Sequence, residues 1–295
     1  MSRDHFIIWI YCLVCTHYES VTQVQPVRRA GGFAPKLTDA EVITMEICGE
    51  YFQLQTDKAI FDYFQYHYQH FFPRLTNRTL FVRQAANLWQ IKSQIQQRVV
   101  ESCGQQTADW QVIDTLPVPV CRTSRAKRSG FRQVEADYGY CAAKREHYYG
   151  FKLGIRVSPL GMIVHYPLLP ARPHDIPFLW ELVGEFQGNL VGDKGFLDEW
   201  RRQQFLLQGV SVFTPPRRNM KNGNGWNDTF AQFRKRVETV GSQLTQQFGL
   251  QRLKLRSGWH LRHRIIRKVL SHTFCVFLNL QLHRPPLEII GLVYS

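Results

Sequence analysis

Three carboxylates stand where an α/β protein often places its chemistry. Asp114 ends the apolar run Trp110-Gln111-Val112-Ile113-Asp114, just before Thr115-Leu116-Pro117; such a run reads as a buried strand that delivers an acid to the edge of a sheet. Asp193 closes a second run, Asn189-Leu190-Val191-Gly192-Asp193. Glu238 falls in a helical stretch whose apolar positions Phe230, Phe233, Val237, Val240 and Leu244 make one core face. It sits about 100° round from Val237, at the margin of that face. Two strand-end Asp residues and a helix-borne Glu are the hard oxygen ligands that two-metal phosphoryl chemistry needs. They would hold a pair of Mg²⁺ ions roughly 3.5–4 Å apart, one activating the attacking oxygen and one stabilising the leaving oxygen. Each acid alone has a plainer reading. A strand-end Asp commonly caps a turn, and Arg234, four residues before Glu238, makes an i,i+4 pair worth a few tenths of a kcal/mol. Mid-helix Gly241 costs about 1 kcal/mol against Ala, which points to a close approach on that flank.

These acids need a scaffold, and the chain after residue 105 has the texture of one. Phe151–Val157 and Met162–Leu169 flank the turn Ser158-Pro159-Leu160-Gly161 as a hairpin. Asp175 is placed as an N-cap before a helix carrying Phe178, Leu179, Leu182, Val183 and Phe186. A further helix runs from about Leu197 to Gln208 and leads through Gly209 into the strand Val210–Phe213. Strand, hairpin, helix, strand, helix, strand describes a mixed α/β sheet.

The first third reads as helical. His5–Cys15 is apolar but too short to span a bilayer, and is expected as a core helix. Residues 16–36 mix polar residues with Arg28, Arg29, Gly31 and Gly32 and are expected as a linker or arm. Thr38-Asp39-Ala40-Glu41 has the form of a capping box, so a helix should start there. Helical spacing continues over about Asp57–Phe71 and again from Asn77, where Arg78, Arg83 and Lys92 stand between apolar residues. Such a set suits either a helix-turn-helix unit on DNA or a packing domain.

With 37 Lys+Arg against 23 Asp+Glu, the 295-residue chain carries a net charge of +14. That footprint suits a polyanion, nucleic acid before others. No stretch reaches transmembrane length, so a soluble protein with no membrane partner is expected. Seven scattered cysteines make no disulfide framework and suggest a reducing compartment. Cys12 and Cys15 lack a second pair at zinc spacing. His260 and His263 lie among Arg256, Arg262, Arg264, Arg267 and Lys268, which reads as a basic helix suited to lying along DNA.

In order, VIDTLPVPVC (112–121), RAKRSGFR (125–132), ADYGYCAAKREHYYGFKLG (136–154), LPARPHD (169–175), VGDKGF (191–196), TPPRRNMK (214–221) and FRKRVETVGSQL (233–244) resemble insertion-sequence transposases of the DDE class. The resemblance extends from the LTDAEV helix at 37–42 to about residue 270. It implies a ribonuclease H-like mixed sheet flanked by helices and preceded by a helical N-terminal domain. On it, Asp114 and Asp193 are the two Asp and Glu238 the Glu of a catalytic triad that binds Mg²⁺ or Mn²⁺, two ions together. Arg234 matches an Arg that precedes the Glu by four positions in many such enzymes. The chain departs from the longer motif of some relatives at Ala231 and Thr245, where those have Tyr and Lys.

Asp109, Asp137, Asp175 and Asp198 are the rival acids, and Asp137 is the strongest of them. Candidate DNA contacts are Arg122, Arg125, Lys127, Arg128, Arg132, Lys194, Arg217, Arg218, Lys221 and Arg234; a solvated basic face is the plainer reading of the same residues. The expected organisation is a helical end-recognition domain over 1–104, a catalytic domain over 105–285 and a tail over 286–295. The expected activity is metal-dependent cleavage at the ends of a mobile element and strand transfer into target DNA. The partner is DNA, the place the cytoplasm and its nucleoid, and the working form a homo-oligomer assembled on DNA. A related nuclease without strand transfer and a silent DNA-binding repressor are the alternatives.

Overall fold

The computed structural model describes residues 1–25, 34–131, 136–141, 144–172, 175–196, 199–216, 227–253, 255 and 257–294. The chain divides into two compact units: one of Met1–Ser102, Leu244–Leu253 and Ser257–Ser295, the other of Cys103–Gln243 and Lys254–Arg256. No described helix is long and apolar enough to cross a membrane.

The first unit is built from α1 (Arg3–Val24), α2 (Asp39–Tyr51), α3 (Asp57–His67), α4 (Arg78–Asn87), α5 (Trp89–Ser102) and, from late in the chain, α9 (Gly258–Gln281). The capping box forms: Glu41 N donates to Thr38 Oγ1 (3.2 Å) and Thr38 N to Glu41 Oε2 (2.6 Å). Residues 16–24, expected as linker, instead continue α1 to Val24, because Val14 and Val21 extend the buried stripe begun by Phe6, Ile7 and Ile10. The helical pattern from Asn77 breaks at Leu88 into α4 and α5.

The expected block 105–285 is divided differently. α9 is buried from Ile265 through Asn279, as befits the central helix of a bundle rather than the end of a sheet domain. Nor is α9 a basic face for DNA. Arg267 bonds Glu50 (2.6 Å) and Asp57 (2.6 Å), Lys268 bonds Glu50 (2.8 Å), and Arg264 lies 2.9 Å from Asp57. Lys92 of α5, one of the basic residues between apolar ones in the stretch from Asn77, is fully buried on Glu46 (2.7 Å) and His263 Nδ1 (2.9 Å). These cations need acids because an unpaired buried charge is costly. The segment expected as a tail also docks within this unit: Tyr51 OH donates to Ile289 O (3.0 Å), and the Met1 amine to Leu292 O (2.9 Å).

The second unit is mixed α/β. Its elements are β1 (Trp110–Cys121), β2 (Asp137–Cys141), β3 (Glu146–Val157), β4 (Ile163–His165), β5 (Leu168–Pro170), α6 (Asp175–Val183), β6 (Gly188–Val191), α7 (Glu199–Leu207), β7 (Val210–Phe213) and α8 (Asp228–Ser242). The strands order as β2-β3-β1-β6-β7, with β4 and β5 also on β3. β2, β3 and β1 are antiparallel neighbours, whereas β6 and β7 run parallel to β1. Alternation along β1 assigns its faces. Ile113 joins Phe178, Leu179 and Leu182 of α6 and Phe205 of α7 in one core. Trp110 looks the other way, its ring centroid 5.2 Å from Phe230 and 6.2 Å from Phe233 of α8.

Candidate active site

β1 and β6 deliver two acids in step. Val112 pairs with Val191, and Asp114 and Asp193 each lie two residues beyond that pair, Asp193 just past the end of β6 and Asp114 inside β1. The strand expected to end at Asp114 instead runs on to Cys121, because Thr115, Leu116 and Pro117, expected as a turn, continue its pairing with β3. The turn after β6 is tight: a Cβ at Gly192 would lie 3.0 Å from the Phe196 ring and 3.1 Å from Ile113 Cγ1, so glycine lets the chain close over Ile113 before Asp193. Each Asp accepts the next backbone N–H: Thr115 N to Asp114 Oδ1 and Lys194 N to Asp193 Oδ1, both 2.7 Å.

The third acid arrives on α8. This helix is seated at one end by Trp110 under Phe230 and Phe233, and at the other by Leu116, whose Cδ2 would be 3.1 Å from a Cβ at Gly241. Trp110, Asp114 and Leu116 share one strand face, so Asp114 lies under the part of α8 between Phe233 and Gly241, which carries Glu238. The close approach signalled by Gly241 is this Leu116 contact. Arg234 closes the constellation, donating from Nη1 to Asp193 Oδ1 (3.0 Å) and from Nη2 to Glu238 Oε1 (3.2 Å). The Asp193 and Glu238 side chains are 50% and 56% exposed, so ion pairs of this kind stabilise the fold by at most about 1 kcal/mol. Their weight is positional: one guanidinium ties the strand-end acid to the helix acid.

Among the described residues no three His, Cys, Asp or Glu side chains are grouped closely enough to hold a metal ion; the Arg234 guanidinium stands between Asp193 and Glu238. The chemistry of the donor set nevertheless fits a hard divalent cation, since the acids offer carboxylate oxygens on a solvent-facing side.

The rival acids stand elsewhere. Asp109 precedes β1, and its carbonyl accepts from Asn189 N (2.8 Å). Asp137 is on β2 opposite Gly150, whereas Asp114 is opposite Ile155 on the same β3, and Asp137 has Arg172 at 3.9 Å. α6 begins at Asp175; the Asp175 side chain and Asp198 lie outside what is described. Of the basic candidates, Arg122, Arg125, Lys127 and Arg128 are exposed in and beside the 3-10 turn Thr123–Arg128, and Lys194 is exposed beside Asp193. Arg132, Arg217, Arg218 and Lys221 lie outside the described residues. Sequence reasoning missed the Trp110–Phe230–Phe233 seat that orients α8; the signal was an aromatic at the start of β1 and two at helical spacing in α8.

A family model described as a transposase DDE domain matches residues 104–264, more than half of the chain. No curated protein matches. Among solved structures, one chain of a piggyBac transposase synaptic complex with hairpin DNA superposes with a TM-score of 0.50 at 9% identity, covering 98% of this chain and 78% of that one. At that identity the likeness is one of fold.

Proposed function

We propose a specific reaction for this chain, which belongs to the transposase DDE domain family: divalent-metal-dependent cleavage of DNA at the ends of a mobile element, then joining of the freed 3′-hydroxyl to target DNA. The observation that carries it is the in-step delivery of Asp114 and Asp193 by β1 and β6, with Arg234 linking Asp193 to Glu238. The antiparallel β2, β3 and β1 followed by parallel β6 and β7 support a ribonuclease H-like reading of the sheet.

In this reading Asp114, Asp193 and Glu238 hold Mg²⁺ or Mn²⁺, two ions together. When bound, the ions would supply positive charge to the reacting phosphate and lower the pKa of the attacking oxygen's proton. A rigid sheet suits the Asp pair, because ligand positions must hold while the nucleophile changes. Water attacks first, breaking a P–O bond and freeing a 3′-hydroxyl. That hydroxyl then attacks a target phosphodiester and displaces the target's own 3′-oxygen. Arg234 and Lys194, beside the acids, would bond phosphate oxygens of the scissile strand. Arg122, Arg125, Lys127 and Arg128 hold the backbone further along. Each joining step uses one 3′-hydroxyl, but insertion of a whole element needs both of its ends joined, for which a homo-oligomer assembled on DNA at the nucleoid is the form we infer. End recognition is assigned to residues 1–104.

The test uses the full chain with DNA carrying the element's own ends. Nicked and joined products should form with Mg²⁺ or Mn²⁺, while Ca²⁺, which prefers longer bonds and looser geometry, should support binding with little turnover. Full activity in excess chelator would overturn the metal-dependent reading. Nicks without joined products would reduce it to a nuclease.

A further inference from the structure

β2 carries two exposed tyrosines that the reaction above does not use. Tyr138 and Tyr140 are 48% and 52% exposed and, two residues apart on a strand, project from one face. Both rings are backed. Tyr138 is paired with Tyr149 of β3, ring centroids 5.1 Å apart and planes inclined at 61°, and Tyr140 with His147, centroids 5.0 Å apart. The opposite face is filled: a Cβ at Gly139 would lie 2.7 Å from the Tyr148 ring and 2.8 Å from Ala171 Cβ. β2 is the end strand of the sheet, with no further strand on its outer side among the described residues. Aromatic rings held from behind on an open edge are pre-ordered surfaces for another flat ring.

The charge around them selects the occupant. Lys144 and Arg145 are exposed in the β2–β3 turn, next to Tyr140 and His147. Arg122 and the turn with Arg125, Lys127 and Arg128 follow Cys121, the β1 partner of Tyr149. Asp137 and Glu146 are the acids close by, and Arg172 lies 3.9 Å from Asp137. Exposed rings within a basic border match nucleobases on a phosphate backbone; a second copy of the same surface would bring like charges together. Asp114 and Tyr149 are opposite residues six apart on β3, so the rings are roughly 20 Å from the acids along the sheet. That is about six nucleotides of duplex rise.

We propose that Tyr138 and Tyr140 form a stacking platform for unpaired bases of the DNA being processed, gripping a single-stranded stretch about six nucleotides from the cut while the acids act on the phosphate. The inference rests on the DNA-processing reading above. It names a part of the substrate, unpaired nucleobases, that phosphate contacts cannot select.

The test is binding by the full chain, without divalent ions, of a duplex with a single-stranded thymine tail and of the same duplex blunt. The wild type should prefer the tailed duplex. The double variant Tyr138→Ala, Tyr140→Ala should lose that preference, roughly five-fold or more for each ring removed, with blunt-duplex affinity unchanged. Tyr138→Phe, Tyr140→Phe, which keeps the rings, should retain it. A fluorescent purine analogue in the tail should be quenched by the wild type and the Phe variant but not by the Ala variant. Equal binding of tailed and blunt duplex by the wild type, or an Ala variant with the preference intact, would overturn the platform. Loss of blunt binding together with tail binding would also overturn it, since the rings would then serve the fold. So would a DNA-free dimer that the Ala variant dissolves. Because no metal is present, these results do not depend on the three acids: failed cleavage leaves them standing, and a failed platform leaves cleavage untouched.

Discussion

Arg234 is the residue on which the site turns, because its single guanidinium bonds both Asp193 and Glu238. In the proposed metal-bound form, a cation there would compete with the metal for the same oxygens. Replacing it by a shorter, neutral amide would remove that competitor while leaving all three acids in place. Arg234→Gln should therefore bind Mn²⁺ more tightly in the absence of DNA, by about five-fold, a factor kept small by the solvent exposure of both acids. The same variant should cleave more slowly if the guanidinium also bonds substrate phosphate. Manganese titration by electron paramagnetic resonance checks the first effect and single-turnover cleavage the second. Unchanged or weaker metal binding would show that Arg234 is no competitor.

At the scale of elements, β3 sets β1 and thereby Asp114. Their register shifts between Pro119 and Cys121. Opposite this irregularity a Cβ at Gly150 would fall 2.2 Å from the carbonyl oxygen of Val118, a backbone atom that cannot turn aside. Gly150→Ala should destabilise the second unit by about 1–3 kcal/mol, read as a lower urea midpoint, and should reduce cleavage with it. An unchanged midpoint would mean that the strands part there freely. β6, α8 and the first half of β1 were legible in the sequence because apolar runs and helical periodicity are local signals; the second half of β1 was not, since Thr115-Leu116-Pro117 reads locally as a turn and is held as strand by its pairing with β3. β2 was not, since five residues with glycine at the centre make a weak strand pattern. α9 was misread for a physical reason. Arg264, Arg267 and Lys268 are assigned to solvent by any local rule, and their acids Glu46, Glu50 and Asp57 are about 200 residues away in the chain. Buried Glu46 and Glu50, four apart on α2, were the clue on the other side.

For the molecule as a whole, the placement of α9 with the early helices means that a cut at residue 104 would strip the first unit of its central helix. The role proposed for residues 1–104 is therefore tested in the full chain. α9 also gives that unit a pH signature. Burial, then the charges of Lys92, Arg267 and Arg264, hold His263 well below the usual imidazole value, and burial pushes His272 down to about 3. Below about pH 6.5 the unfolded chain takes up protons that the native state refuses, so stability falls with pH, by up to about 1.4 kcal/mol per unit for each histidine. Glu46, pushed up by burial, offsets part of this at the acid end. Urea unfolding from pH 7.5 to 5.5 should show the decline, His272→Phe should shallow it, and a flat profile would contradict the burial of both rings. The central claim is that one fold brings Asp114, Asp193 and Glu238 to a single metal-dependent centre. It is tested most directly by single-turnover cleavage and DNA binding of Asp114→Asn, Asp193→Asn and Glu238→Gln with Mg²⁺. Each variant should lose cleavage while keeping its affinity for DNA, because each removes a metal ligand rather than a DNA contact. Normal cleavage by any one of the three would contradict the account and return the missing ligand to Asp137 or Asp109.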